Sequence, residues 1–131
     1  MRNLSILILV ALSLLLFGCS PNAPSIAYKD LPAQGDPTRG KELFNKSVNG
    51  AQPCVQCHNL DTTNNVGPGL GDLPQTAGTR VSGETAREYV FNSIVQPSRY
   101  IVPGFSNAMY TQYAEKLMPQ DIADLIAFVL P

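Results

Sequence analysis

Two cysteines and a histidine stand close enough together to act as one chemical unit: Cys54-Val55-Gln56-Cys57-His58. Thiols separated by two residues, with a histidine directly after the second, form the attachment pattern for c-type haem. Cys54 and Cys57 would add across the two haem vinyl groups as thioethers, and the two intervening residues let the backbone span them. His58 then lies under the iron, where an imidazole nitrogen can take one axial position. Two other readings of C-x-x-C are a redox disulfide and half of a zinc site. Zinc needs two further Cys or His ligands, and His58 is the only histidine in the chain. A thioredoxin-like motif opens a helix after a strand, and no βαβ pattern surrounds this one. The motif predicts one covalently bound haem c.

The elements that must position this motif are helical. Asp36-Pro37 opens a helix by the expected grammar, an acidic N-cap followed by proline at the first helical position, and it should run to about Asn45. Gly40 and Phe44 share a face four residues apart, and the glycine points to close backbone contact. A loop rich in Gly, Asn, Thr and Pro is expected from Asn59 to Gly78. Thr85 and Glu88 make a capping box for a helix that ends near Val95, before Pro97. Another Gly- and Pro-bearing loop should follow, from Pro97 to Met118. Pro119 starts the last helix, where Ile122, Leu125, Ile126 and Val129 form an amphipathic stripe read as core scaffold. Leu125 and Phe128 are expected to meet the Gly40/Phe44 face.

The third cysteine belongs to a different chemistry. Arg2 precedes an apolar run from Leu4 to Phe17, broken only by Ser5 and Ser13. The run is shorter than the roughly 20 apolar residues of a membrane span and fits the core of a secretory signal peptide. It ends in Leu16-Phe17-Gly18-Cys19, which resembles the lipobox of bacterial lipoproteins, although Phe17 is bulkier than the usual residue there. That likeness implies a signal peptide at 1–18 and lipid modification of Cys19; several acyl chains give stable attachment. An ordinary signal peptide or an uncleaved anchor is the plainer alternative. Residues 20–35 carry Pro21, Pro24 and Pro32 and no helical or strand period, so they are expected to be a flexible tether of 16 residues. Its reach would be about 50 Å fully extended.

Composition sets the limits. The chain has 131 residues with 11 Pro, 10 Gly, 3 Cys and no Trp, which is room for one small domain at 36–131 plus the leader and tether. The formal charge of −1 gives no footprint for nucleic acid. A thin core would gain much of its missing apolar surface from a buried haem. With two cysteines in the motif and one at position 19, no pair is left for a structural disulfide.

An N-terminal helix with Gly and an aromatic residue, then C-x-x-C-H, G-P-x-L, a methionine loop and a C-terminal helix resembles the class I cytochrome c family. The likeness covers about residues 36–130. It implies a small all-α fold with three main helices and long loops wrapping one haem. The run Ser93-Ile94-Val95-Gln96-Pro97-Ser98-Arg99-Tyr100-Ile101-Val102-Pro103-Gly104-Phe105 is similar to haem domains of bacterial lipoprotein cytochromes, of haem–copper oxidase subunits, and of the small mono-haem subunit of alternative complex III. The resemblance also implies roles. Pro68 would offer its carbonyl to the second nitrogen of His58, Leu70 would pack on the haem face, and Arg80 and Tyr100 would approach a propionate. Solvation is the plainer role for Arg80, and core packing for Tyr100. Met109 is expected as the distal iron ligand, with Tyr110 standing where the family usually has Pro. Met118 is the competitor, because a Met-Pro pair often marks the ligand in this family; but Pro119 should fix Met118 as the N-cap of the last helix.

Iron held by a histidine and a thioether is coordinatively saturated, so it exchanges electrons rather than working on a bound substrate. The resemblance therefore implies an exported, lipid-anchored electron carrier at the outer face of the cytoplasmic membrane, not an enzyme by itself. Its expected partners are a quinol-oxidising complex like alternative complex III and a terminal oxidase or soluble electron carrier, in a respiratory or photosynthetic chain. No lysine ring is present to steer a diffusing partner, which favours a fixed subunit or tethered carrier. The rivals are a five-coordinate haem enzyme or gas-binding protein, and a lipoprotein in which haem serves only as a structural staple.

Overall fold

The computed structural model describes residues 26–131, and among these the chain is all-α. Five α-helices follow in order: α1 Pro37–Asn45, α2 Leu73–Arg80, α3 Ala86–Val95, α4 Tyr113–Lys116 and α5 Pro119–Val129. Short 3-10 turns lie at Tyr28–Asp30 and Cys54–Gln56, and the one isolated bridge joins Val48 to Ala51. No helix among the described residues is long and apolar enough to cross a membrane. The expected signal peptide at 1–18, the expected lipidation site Cys19 and residues 20–25 of the expected tether lie outside the described residues.

The three helices expected from the sequence form where their caps put them. The Asp36 carboxylate accepts from the backbone N–H of Thr38 at 2.8 Å and of Arg39 at 3.3 Å, tying off two donors at the start of α1. Thr85 Oγ accepts from Glu88 N at 3.2 Å at the start of α3. Two further helices fall inside stretches expected to be loops. The first, α2, has Leu73 and Ala77 buried four residues apart, and packing of that short face outweighs its Thr and Gly, while Pro74 sits in the first turn, where proline is tolerated. The second, α4, is a single turn whose Tyr113 is buried.

Helices α1 and α5 cross at a point that only glycine allows. A Cβ on Gly40 would lie 2.0 Å from the Asp124 carbonyl oxygen and 2.8 Å from Phe128 Cβ. Next to it Phe44 and Phe128 meet edge to face with ring centroids 5.5 Å apart. Ile122 and Ile126 are buried, as expected of scaffold. Leu125 and Val129 differ from that expectation: both line a large cleft, so part of the stripe belongs to the site.

An ion network locks the same crossing. Arg39 on α1 pairs with the carboxylates of Asp121 and Asp124 on α5, which are 5% and 1% exposed against 45% for the guanidinium. Asp124 also accepts from Asp36 N at 2.7 Å and Gln120 Nε2 at 2.7 Å. Burial pushes the Asp124 carboxyl up, but these donors together with Arg39 hold it below the usual carboxylate range. A lowered folded pKa adds stability above the unfolded carboxylate value of about 3.9 and loses it as pH falls toward the folded pKa. Arg39→Ala should therefore cost about 2 kcal/mol at neutral pH. This is below the cost of breaking a fully buried pair, because Arg39 is half exposed and Asp124 keeps two donors. Denaturant titrations should show the gap to the parent closing below about pH 4; a gap that widens there would refute the assignment.

The expected tether ends earlier than position 35. Ile26 is buried, the Tyr28 and Phe91 rings lie 5.4 Å apart, and Arg87 donates to the Pro32 carbonyl. Residues 26–35 are thus docked on the domain, because their few apolar side chains find a face of α3 to cover. The flexible-tether expectation is corrected over this stretch.

Candidate functional site

The 3-10 turn at Cys54–Gln56 sets the cysteine motif. Cys57 N and His58 N both donate to the Cys54 carbonyl, at 3.1 and 3.0 Å, closing the chain so that Cys54, Cys57 and His58 line one cleft. Tyr113, within the stretch expected to be a loop, braces this turn: its hydroxyl donates to the Gln52 carbonyl at 2.8 Å. Burial, then the nearby Cys54, Cys57 and Tyr110, push its phenol well up, so it stays a donor.

The loop after the motif folds back over it. Gly67 N donates to the Cys57 carbonyl at 2.8 Å, Leu70 N to the Asn59 carbonyl at 2.9 Å, and Asn65 Nδ2 to the Gln56 carbonyl at 3.3 Å. These clips bring the Pro68 carbonyl to 2.9 Å from His58 Nδ1. A carbonyl can only accept, so Nδ1 carries the proton and Nε2 keeps its lone pair. Gly67 permits the approach, since a Cβ there would fall 2.5 Å from His58 Cε1. Its place directly before Pro68 was the one sequence signal for that role.

The cleft encloses about 1060 Å³ of empty space, open mouth included. Every expected site residue within the described range lines it: Cys54, Cys57, His58, Pro68, Leu70, Arg80, Tyr100 and Met109. Phe44, Leu125 and Val129 supply apolar wall from α1 and α5, and Val90 and Ile94 from α3. The Tyr100–Met109 loop adds Val102 and Phe105; Asn107 Nδ2 donates to Ser98 Oγ at 3.0 Å across its base, and Gly104 turns it at φ 92°. Met109 is half buried in the lining, whereas Met118 is absent from it and 66% exposed. Met118 is the N-cap of α5, its N–H donating to Asp121 Oδ2 at 2.8 Å.

Among the described residues no carboxylate lines the cleft, and Arg80 is its one guanidinium. Arg80 sits at the end of α2 and donates to Tyr89 Oη at 3.0 Å, with Tyr100 edge to face against Tyr89 at 5.9 Å. Nothing in the sequence marks Tyr89 for this contact, since a tyrosine on an apolar helix face has the look of core. Arg80 and Tyr100 both touch the cleft, but Tyr100 also packs on the core, the plainer of its two expected roles.

The donor set fits haem c and neither rival reading of C-x-x-C. Two thiols and an imidazole with a free Nε2 share an apolar seat that also holds a cation suited to a carboxylate. No group of three or more His, Cys, Asp or Glu able to hold a metal ion occurs among the described residues, so zinc lacks its ligands. Burial, aided by Cys57, pushes the Cys54 thiol up to about 11, opposite to the lowered pKa of a thiol–disulfide exchange motif.

Fold and site together define a small all-α haem-binding domain. The family model for cytochrome c matches residues 37–131, and the chain belongs to the cytochrome c family. The family binds covalently attached haem c, and the domain is a haem-based electron carrier. No curated protein and no solved structure matches the chain significantly.

Proposed function

We propose that the chain is a membrane-anchored mono-haem carrier in which His58 and Met109 hold the iron, serving a quinol-oxidising membrane complex. The observation that carries this reading is that His58 and Met109 line the same apolar cleft while Met118 stands outside it. When bound, haem c supplies a one-electron iron couple. The Pro68 carbonyl holds the Nδ1 proton of His58, which fixes the ring and raises the basicity of Nε2. Leu70, Phe105 and Val129 line the seat and would shield a bound haem from water, and Arg80, also in the lining, would offer its charge to a haem carboxylate. Were His58 and Met109 both to hold the iron, no place would be open for substrate, which favours electron relay over catalysis. A reduced protein that binds carbon monoxide rapidly would favour the five-coordinate rival instead.

The membrane part of the proposal rests on the Leu16-Phe17-Gly18-Cys19 sequence after a short apolar run. The mature protein should begin at Cys19 and carry acyl chains; an intact mass starting at Met1, or an unmodified Cys19, defeats this. Cys19→Ser should release the protein from the membrane with its haem domain still folded. The partner rests on family likeness alone. Gentle solubilisation should bring down a quinol-oxidising complex or terminal oxidase with the haem, and recovery of a solitary monomer under those conditions would refute the subunit reading.

A further inference from the structure

The stretch expected to be a free tether is tied to the domain at both ends. At its far end Ile26 is buried and Tyr28 lies against Phe91, while Asp30 Oδ2 accepts from Ala27 N at 3.1 Å to close the turn between them. Leu31 packs on the core, and Arg87 donates to the Pro32 carbonyl. At its near end a Cβ on Gly35 would lie 2.1 Å from the Ala123 carbonyl oxygen, so the backbone is pressed onto α5. Asp36 N then donates to the buried Asp124 carboxylate at 2.7 Å. Arg87 and Phe91 are four apart on α3, whereas Tyr89, Val90 and Ile94 of that helix line the cleft. The strap therefore grips the helix beside the cleft and leaves the cleft mouth open.

We infer that residues 26–35 are a docked strap that shortens the leash of the lipid-anchored domain, restricting its membrane-bound partners to proteins of the same membrane. The inference rests on the anchoring at Cys19 proposed above. From Cys19 to Ile26 the chain is seven residues long, at most roughly 25 Å fully extended, against about 50 Å for the whole of 20–35. A domain of this size is about 35 Å across, so its far side stays within roughly 60 Å of the bilayer. That reaches the extramembrane face of a neighbouring complex. It does not reach a site fixed to an opposing membrane beyond that height.

Two measurements test the strap and the leash separately. In the haem-loaded Cys19→Ser chain, which needs no lipid, the amides of Asp30, Leu31 and Asp36 should exchange at least about tenfold more slowly than in an Ile26→Asp/Tyr28→Ala variant. Equal rates overturn the strap. In lipidated holoprotein on vesicles carrying a headgroup dye, haem quenching of the dye should fall about twofold or more when about ten Gly/Ser residues are inserted between Ser25 and Ile26. The Ile26→Asp/Tyr28→Ala variant should lose quenching in the same direction. Native quenching as weak as that of the insertion variant overturns the leash. An intact mass without acyl chains removes the anchor, and the leash with it, while the exchange rates still report on docking.

Discussion

Cys57→Ala is expected to leave little folded protein, and His58→Ala to do the same. The reason lies in how the domain divides its apolar surface. Ile122 and Ile126 are buried within protein at the α1–α5 crossing. Leu70, Ile94, Val102, Phe105, Met109 and Val129 are only half buried, because they face the cleft. Completing the burial of six such side chains contributes about 1 kcal/mol each. The sum, about 6 kcal/mol, is comparable to the whole net stability of a small domain, about 5–15 kcal/mol. A chain unable to keep its haem has to leave that surface wet or collapse the cleft. Collapse is resisted by the loop clips that hold the Pro68 carbonyl against His58. Circular dichroism and thermal melts of the variants should show a broad, weak transition or none. A stable, cooperatively unfolding apo-domain would overturn this account.

The contrast between legible and illegible elements follows from the range of the interactions that form them. Helices α1, α3 and α5 announce themselves through local grammar: Asp36-Pro37, Thr85 with Glu88, and Pro119 ahead of a periodic stripe. Helix α2 has weaker grammar: Pro74 stands in its first turn, but the Asp72 side chain makes no cap bond. Its Leu73 and Ala77 are buried in the core, and that packing outweighs weak local propensity. The haem motif is readable because covalent chemistry fixes the residue types and spacing, and the whole expected lining within the described range converges on one cleft. Tyr89 and the pair Asp121 and Asp124 were not readable. A tyrosine on an apolar helix face looks like core, and carboxylates on a helix look solvated until Arg39 is brought across from α1. Residues 26–35 misled for a related reason: three prolines in the surrounding stretch exclude regular ladders but not docking, and Tyr28 docks on a helix more than 60 residues away.

The distal ligand gives the sharpest single-residue outcome. Met109→Ala is expected to abolish the weak sulfur-to-iron band at the red end of the oxidised spectrum. It should also lower the potential by a few tenths of a volt, out of the roughly 0.8 V that axial ligation commands. The soft thioether favours ferrous iron, so its loss moves the couple downward. Met118→Ala should leave both the band and the potential nearly unchanged. The loop from Tyr100 crosses the cleft, turns at Gly104 and is pinned by Asn107 to Ser98 before it presents Met109 to the lining. Met118 is committed elsewhere: its N–H serves the Asp121 carboxylate, the chain is already entering α5, and its side chain stands in solvent. Bringing Met118 to the iron would unwind the start of α5 and release Asp121 from its place beside Arg39. Should Met118→Ala remove the band while Met109→Ala keeps it, the loop is not the ligand-bearing element and the start of α5 must rearrange around the haem.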